Sequence, residues 1–289
     1  MLRIAVASGK GGTGKTTIAA SLSQVAAERN TLVLSDCDVE APNAHLFFPV
    51  EFRERKQVST MVPRVDRKRC SSCGSCAEVC QFHAIVILRE KPVVIADLCH
   101  GCGSCALICP QEAVEEIPHP IGVLTRGDVP ERMVLQQGKL AIGQPLAVPV
   151  IAGLKKWPLD DSPEIQIYDA PPGASCPVVE AVRGVDFVLL VTEPTPFGLH
   201  DLKQAYQVTV ELGLPAGVIV NRDGVGDRQV EDYCQERDLP LLMRIPLKRA
   251  ISEGTAAGRT LVDIDPTYRE KFSQLLLQIE SILSQKERL

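Results

Sequence analysis

The sequence predicts an α/β fold in which a mostly parallel sheet carries helices on both faces, with an inserted small α+β domain. Three observations support this prediction. Short apolar segments alternate with amphipathic ones along most of the 289 residues, a pattern typical of parallel sheets. The first apolar segment leads through a glycine-rich loop into a helix. A cysteine-rich stretch containing an internal repeat interrupts the alternation after residue 61.

The glycine-rich loop joins a predicted buried strand, Leu2 to Ala7, to a helix predicted from Thr16 to about Arg29. A strand, such a loop and a helix in that order form the context that a phosphate-binding loop needs. Glycines let backbone N–H groups turn toward phosphates, and the helix N-terminus adds its dipole. Lys15 can then reach the β- and γ-phosphates, and the Thr16 hydroxyl can ligate Mg²⁺. The predicted nucleotide-binding residues of the loop are Gly11, Gly12, Thr13, Gly14, Lys15, Thr16 and Thr17.

A second lysine, Lys10, lies inside this loop. The run Lys-Gly-Gly-Thr-Gly-Lys-Thr from residue 10 to 16 resembles the deviant Walker A loop of the MinD/ParA/Mrp family, which includes the nitrogenase iron protein. The resemblance implies a Mg²⁺-dependent ATPase that dimerises with ATP, as a homodimer or with a paralogue. It also implies that Lys10 acts on the partner's nucleotide and, with Lys15, belongs to the catalytic residues.

Acidic residues follow two of the predicted strands. Asp36 and Asp38 end one strand and Asp169 ends another, and the carboxyl ends of parallel strands meet at one edge of a sheet. The family resemblance implies that Asp38 positions the attacking water, while Asp36 and Asp169 lie on the Mg²⁺ side. It further implies that the N–H group of Gly173 senses the γ-phosphate. The alternative is that the first two aspartates only cap a turn.

The C-terminal half continues the alternation, with strands predicted at 187–192, 216–220 and 241–245. Asn221 and Pro246 follow the last two of these strands, at positions where the resembled family contacts the adenine base. The last helix, predicted from Pro266 to Lys286, has an apolar face that we expect to cover the sheet. An apolar strand or turn is predicted at 146–151, and short strands or a hairpin at 121–143.

The cysteine-rich stretch carries two copies of one motif. Cys70-x2-Cys73-x2-Cys76-x3-Cys80 recurs 29 residues later, from Cys99 to Cys109. This is the bacterial ferredoxin pattern for two [4Fe–4S] clusters, in which the fourth cysteine of each copy ligates the other cluster. The predicted ligand sets are Cys70, Cys73, Cys76 and Cys109 for the first cluster, and Cys99, Cys102, Cys105 and Cys80 for the second. A pair of zinc sites is the alternative.

These observations predict two domains. Residues 1–61 and 119–289 would form the ATPase domain, and residues 62–118 an inserted ferredoxin-like domain. Insertion between strands is tolerated when the two ends of the insert lie close together.

Composition narrows the function classes further. The net charge of −5 counts against a nonspecific nucleic-acid binder. No apolar run reaches the roughly 18–20 residues of a membrane span, so stable membrane insertion is not expected. Eleven cysteines without a secretory leader favour metal binding in the cytoplasm over disulfides.

The main hypothesis is a nucleotide switch that couples ATP-dependent dimerisation to electron transfer or redox sensing with a redox or regulatory partner. One alternative is an iron–sulfur or metal-cofactor assembly ATPase, as in the Mrp branch. Another is a positioning ATPase of the MinD and ParA type. Cys176 is either a small packed residue or an additional thiolate near a dimer axis.

Overall fold

The architecture follows from a computed structural model that describes residues 1–130, 132–159 and 162–286. Within these ranges, strands and helices alternate along most of the chain. The strands are β1 (Leu2–Ala7), β2 (Leu32–Asp36), β3 (Glu51–Val65), β4 (Ile85–Leu88), β5 (Lys91–Val94), β6 (Val114–Val129), β7 (Met133–Leu140), β8 (Ile165–Asp169), β9 (Phe187–Thr192), β10 (Ala216–Asp223) and β11 (Leu241–Pro246). The helices are α1 (Lys15–Ala27), α2 (Ser75–Glu78), α3 (Ser104–Leu107), α4 (Ala147–Lys155), α5 (Cys176–Val182), α6 (Pro196–Glu211), α7 (Gln229–Glu236), α8 (Arg249–Ala256), α9 (Leu261–Ile264) and α10 (Thr267–Lys286).

The large sheet has the strand order β11-β10-β9-β1-β8-β2-β7-β6-β3. Every pairing from β11 to β7 is parallel, and only β6 and β3 run antiparallel to their neighbours. The predicted mostly parallel sheet is therefore confirmed. Because β1 lies at the centre, the loop that follows it opens at the middle of the carboxyl edge, where parallel sheets bind ligands.

Apolar residues of β1 are buried on both faces of the sheet. Ile4 and Val6 pack into one core with α1 and α10, while Ala5 and Ala7 pack into a second core with α4 to α7. A strand buried on both sides reads as a continuous apolar run, which is what the sequence contains. Helices therefore cover both faces, as predicted.

Helix α10 covers the sheet, as its apolar face predicted. Tyr268, Phe272, Leu275 and Ile279 recur at helical spacing and are buried in the same core as α1. Across the described residues, no helix has both the length and the apolar character that crossing a membrane requires.

One element differs from its prediction. Residues 146–151 were expected to form an apolar strand or turn, but they begin helix α4. Val150, Ile151 and Leu154 are buried on one face, so the apolar run is a short buried helix. The length of this apolar run does not distinguish a strand from a helix, because short apolar runs occur in either structure. Pro149 is tolerated because it lies in the first helical turn.

The cysteine-rich stretch lies at the far end of a long hairpin. Strands β3 and β6 pair from Glu51↔Asp128 to Val65↔Val114, so the predicted domain boundaries at residues 62 and 118 fall within these two strands. Between them lie α2, α3 and the small β4–β5 sheet, around a separate core that includes Cys76, Ile85, Cys105 and Val114. The division into two domains stays a prediction.

Candidate functional site

The glycine loop adopts the compact turn that its sequence predicts. Gly12 and Gly14 have φ angles of 80° and 94°, a left-handed conformation that disfavours other residues. Gly14 immediately precedes α1, and a side chain there would collide with the Asn221 amide. A side chain at Gly9 would collide with the backbone of α6 at Asp201. The loop is thus held between two neighbouring segments of the carboxyl edge.

Lys15 lies folded back over this loop and is only 7% exposed. Its Nζ donates to Ser8 Oγ at 2.9 Å and to the Lys10 carbonyl at 3.4 Å. Burial lowers its pKa, while the carboxylates of Asp169 and Asp38 act in the opposite direction. A buried ammonium group with two weak neutral acceptors is well suited to exchange them for phosphate oxygens.

Asp38 and Asp169 lie close enough to this lysine to act on its pKa, and Asp36 lies next to both of these aspartates. Asp36 accepts backbone N–H bonds from Asp38, Asn43 and Ala44, yet burial raises its pKa to about 6. Burial, and then the carboxylate of Asp36, raise the pKa of Asp169 well above its usual range. The pKa of Asp38 is also raised by burial.

The two oxygens of Asp169 are buried without a hydrogen-bond partner among the described residues. Unpaired buried carboxylates are costly, so they mark a place where a cation is expected. Thr16 lies beside Asp169, since its hydroxyl lowers the pKa of that carboxyl. The donor set of carboxylate and hydroxyl oxygens suits Mg²⁺.

A cleft of about 710 Å³ opens over the loop. Predicted residues that line it are Gly11, Gly12, Gly14, Lys15, Thr16, Thr17, Asp38, Asn221 and Pro246. Thr13, Asp36, Asp169 and Gly173 are not among the lining residues. Thr13 is buried, and the N–H of Gly173 donates to the Ser8 carbonyl at 3.0 Å.

The opposite wall of the cleft was not predicted from the sequence. It is formed by the turn after the first acidic segment and by α8 with its flanks, including Leu46, Phe47, Lys248, Ile251, Ser252 and Thr255. Helix α8 combines a polar side with apolar residues such as Ile251. That amphipathic pattern marks a helix, but it does not reveal that the helix faces the nucleotide loop.

The two predicted base contacts have different surroundings. Asn221 Nδ2 donates to the Thr13 carbonyl at 2.7 Å, and its Oδ1 accepts from the Arg222 N–H. The side chain therefore braces the phosphate loop against the end of β10. Pro246 ends β11 and lines the cleft.

Lys10 is not among the residues that line the cleft. Its Nζ lies 3.7 Å from an oxygen of Glu193, the residue that follows β9. Glu193 also pairs with Arg222 at 2.7 Å. Neither Glu193 nor Arg222 was predicted as a site residue, although Glu193 is an acidic residue at the end of another strand.

The first predicted cysteine set surrounds a pocket. Its lining includes all four members, Cys70, Cys73, Cys76 and Cys109. The last of these comes from the second copy of the motif, as the crossed pattern predicts. The structure thus brings the four predicted ligands of one cluster to one place.

Matching contacts recur in the two copies. The N–H groups of Ala84 and Ala113 donate to the sulfurs of Cys80 and Cys109, both at 3.3 Å. In the second copy, burial raises the pKa of Cys99, and the neighbouring thiols Cys102 and Cys80 raise it further. Cys80 is therefore close to the second set, as predicted.

The serines that follow the second cysteine of each copy also match. Ser75 and Ser104 hydroxyls lie 3.5 Å from the sulfurs of Cys73 and Cys102 and lower the pKa of those thiols. N–H and O–H groups that point at sulfur favour the thiolate form, which is the form that binds iron.

These cysteines do not converge as ligands of one ion. Among residues 1–130, 132–159 and 162–286, no group of three or more histidine, cysteine, aspartate or glutamate side chains is placed to hold a metal ion. A cubane makes a different demand, because each of its four thiolates binds a different iron. Four cysteines line the pocket, which is the number that a cubane requires, and the clusters stay a prediction.

The three remaining cysteines are separate from both sets. Cys176 begins α5 and is exposed, whereas Cys37 and Cys234 are buried. An additional thiolate ligand at Cys176 stays a prediction.

Comparisons with known proteins agree with the fold and the loop. A family model described as the CobQ/CobB/MinD/ParA nucleotide binding domain matches residues 4–262. The uncharacterized protein MJ0578 of Methanocaldococcus jannaschii is 32% identical over 227 residues, which are 78% of this chain and 80% of that protein. MJ0579 of the same organism is 32% identical over 249 residues, which are 81% of this chain and 90% of that protein.

Among solved structures, the septum site-determining protein MinD of Pyrococcus horikoshii, complexed with Mg-ADP, superimposes with a TM-score of 0.59. Its identity is 21%, and the match covers 97% of this chain and 96% of that one. At that identity the likeness concerns the fold. Because the family model spans most of the chain and every segment that lines the cleft, this chain belongs to the CobQ/CobB/MinD/ParA nucleotide-binding family.

Proposed function

We propose that this protein is a Mg²⁺-dependent ATPase that acts as a nucleotide switch. The observation that carries the proposal is that Lys15 lies near Asp38 and Asp169 beside one glycine loop, with Asp36 next to these two aspartates. A buried ammonium group next to buried, partly unpaired carboxylates is what a Mg²⁺–triphosphate complex would complete. The solved MinD of Pyrococcus horikoshii, which shares the fold, is itself a complex with Mg-ADP.

Each of the residues around the loop has its own role in this proposal. Lys15 exchanges Ser8 Oγ and the Lys10 carbonyl for phosphate oxygens. Thr16, with Asp169 and Asp36 behind it, forms the side toward Mg²⁺, which when bound neutralises charge on the phosphates. Asp38 is half-buried at the cleft wall, where it orients the attacking water. Gly173 exchanges its bond to the Ser8 carbonyl for a bond to the γ-phosphate.

ATP binding then leads to dimerisation, with Lys10 completing the partner's site. The partner is a second copy or a paralogue. Two relatives from one organism match this chain at the same identity, which supports including a paralogue in the test.

The test is sedimentation of the full chain with Mg²⁺ and ATP, ADP or a non-hydrolysable ATP analogue, together with phosphate release. We expect a dimer with ATP or the analogue only, and slow hydrolysis that Lys15→Gln abolishes. Lys10→Ala should retain nucleotide binding and lose dimerisation, while Lys56→Ala, an exposed lysine of β3, should behave as wild type. A monomer in every nucleotide state, with and without a co-expressed paralogue, would refute the switch.

We further propose that the cysteine stretch holds two [4Fe–4S] clusters, supported by the pocket that Cys70, Cys73, Cys76 and Cys109 line. When bound, such clusters supply one-electron transfer. The hairpin that carries them, β3 with β6, begins shortly after the first acidic segment, so the nucleotide cycle is placed to influence them. The proposed role is gated electron transfer or redox sensing with a partner protein.

The experiment is ATP hydrolysis and dimerisation of anaerobically purified, iron-loaded protein before and after reduction. A change in either quantity with redox state supports coupling. Identical behaviour in both states contradicts it and favours a cofactor-assembly ATPase. That alternative predicts transfer of iron to an apo-acceptor, whereas a MinD-like positioning ATPase predicts ATP-dependent binding to vesicles, DNA or a division protein.

A further inference from the structure

Glu193 faces two cations at the edge of the nucleotide site. It directly follows β9 and is 8% exposed. One carboxylate oxygen lies 2.7 Å from an Arg222 nitrogen, and the other lies 3.7 Å from Lys10 Nζ. A buried carboxylate left without a cation is costly, so at least one of these pairs must persist.

Arg222 is built into this arrangement by several contacts. Its second guanidinium nitrogen donates to the Gly12 carbonyl at 3.1 Å, and its backbone N–H donates to Asn221 Oδ1 at 3.0 Å. Its φ angle of 57° places it in the left-handed region, which is unfavourable for a residue with a side chain. The conformation is therefore maintained by the contacts to the loop and to Glu193.

The two cations are held unequally. Arg222 makes the short ion pair, whereas the Lys10 pair is long and its side chain is 39% exposed. Lys10 can therefore leave while Arg222 still neutralises the buried carboxylate. Lys10 can therefore dissociate from Glu193 at a small cost in free energy, and the same ion pair can form again when Lys10 is released by the partner.

We propose that Glu193 is a positioning residue that retains Lys10 within its own subunit, and that Arg222 keeps Glu193 paired when Lys10 moves to the partner's nucleotide. This inference rests on the proposed ATP-dependent dimer. It predicts that the strength of the dimer is set by competition between Glu193 and the partner's phosphates for one lysine.

Because Glu193 and the partner's phosphates compete for Lys10, two substitutions should change the dimer dissociation constant in opposite directions. Glu193→Gln removes the retaining charge, so Lys10 is free and the dimer tightens. Of the two cations that face Glu193, Arg222→Gln leaves Lys10, so Lys10 is held more strongly and the dimer weakens. A partly exposed ion pair is worth roughly 0.5–1 kcal/mol, and a symmetric dimer releases two, so each effect should be about 5- to 30-fold.

A purely structural role gives a different result. Glu193 and Arg222 join the ends of neighbouring strands β9 and β10, so a merely structural pair would weaken folding and dimerisation in both variants alike. The matched control is Glu231→Gln, which breaks an equally short pair with Arg244 that does not involve Lys10.

The experiment measures the dimer dissociation constant of the full chain by sedimentation with Mg²⁺ and a non-hydrolysable ATP analogue. Analogue affinity of the monomer and urea unfolding are measured in parallel. We expect a lower dissociation constant for Glu193→Gln, a higher one for Arg222→Gln and no change for Glu231→Gln.

Unchanged or equally signed shifts in the two variants would overturn the inference while leaving the proposed function standing. If wild type forms no nucleotide-dependent dimer, the proposed function fails and this inference fails with it. If Glu193→Gln does not fold, an unchanged constant for the exposed Arg222→Gln is by itself sufficient to reject the inference.

Discussion

Asp36 and Asp169 occupy paired positions on the neighbouring parallel strands β2 and β8. Both are buried, and the charge of Asp36 raises the pKa of Asp169. Since the pairing places both at the carboxyl edge, with Asp169 near Lys15, the fold without a cation carries an electrostatic cost that a divalent cation would relieve. The proposed Mg²⁺–nucleotide complex would therefore stabilise this group of carboxyls.

Asp169→Asn should therefore stabilise the ligand-free protein while abolishing its response to ligand. At pH 8 we expect the free energy of unfolding to rise by about 1–2 kcal/mol, because a buried unpaired charge is removed. Stabilisation by Mg²⁺-ADP should disappear. Urea unfolding with and without Mg²⁺-ADP measures both effects, with exposed Asp232→Asn as the control. A variant that is less stable than wild type and still stabilised by Mg²⁺-ADP would contradict this account.

Nucleotide binding should depend on pH through Asp36. Burial raises the pKa of this carboxyl to about 6, so in the folded state it is protonated below that pH and stabilises the fold there. That contribution is lost as the pH rises through about 6, and bound Mg²⁺ replaces the proton.

Calorimetry with preformed Mg²⁺-ADP should therefore show an affinity that falls by up to about tenfold per pH unit below 6. Asp232→Asn should retain the wild-type profile. A profile that is flat between pH 5 and pH 8 would show that Asp36 does not face the metal.

Asn221→Ala tests whether this side chain reads the base or braces the loop. Because its amide is bonded to the Thr13 carbonyl and the Arg222 N–H, we expect loss of the brace to weaken ATP and GTP binding by the same factor, about five- to tenfold. Equilibrium binding of both nucleotides measures the ratio. A selective loss of ATP binding would instead support the adenine contact that the family resemblance implies.

Strands and helices with a clear pattern of apolar residues were predicted to within a few residues. Strand β9 was predicted at residues 187–192 and is found there, because a buried parallel strand is a continuous apolar run. The full extent of β6 was missed, since Pro118 and Pro120 argue against a central strand. The two prolines are accommodated because β7 pairs with β6 only from Gly122 onward, which leaves the proline-bearing part with an open edge.

The site was predictable where a motif is contiguous. The positions of the loop from Lys10 to Thr17 and of the strand-end aspartates could be predicted, because each strand and the loop after it are contiguous in the sequence, and the roles of these residues stay a prediction. Glu193 and the α8 wall of the cleft could not, because they meet the loop through contacts between distant residues. Contacts between residues far apart in the chain produce no recognisable pattern of spacing in the sequence.

The crossed ligation of the two clusters predicts which pairs of cysteine substitutions damage one cluster and which damage both. If Cys109 belongs with Cys70, the double variant Cys70→Ser/Cys109→Ser removes ligands from one cluster only and should retain about four of about eight irons per chain. The double variant Cys70→Ser/Cys80→Ser removes a ligand from each cluster and should disturb both. Iron analysis with low-temperature electron paramagnetic resonance after reduction distinguishes one surviving cluster from two damaged ones.

Cys234→Ala, a substitution of a buried cysteine in α7, controls for loss of a thiol elsewhere. Uncrossed ligation would exchange the two results, so that the variant within the first copy spared a complete cluster, and zinc in place of iron would exclude both arrangements.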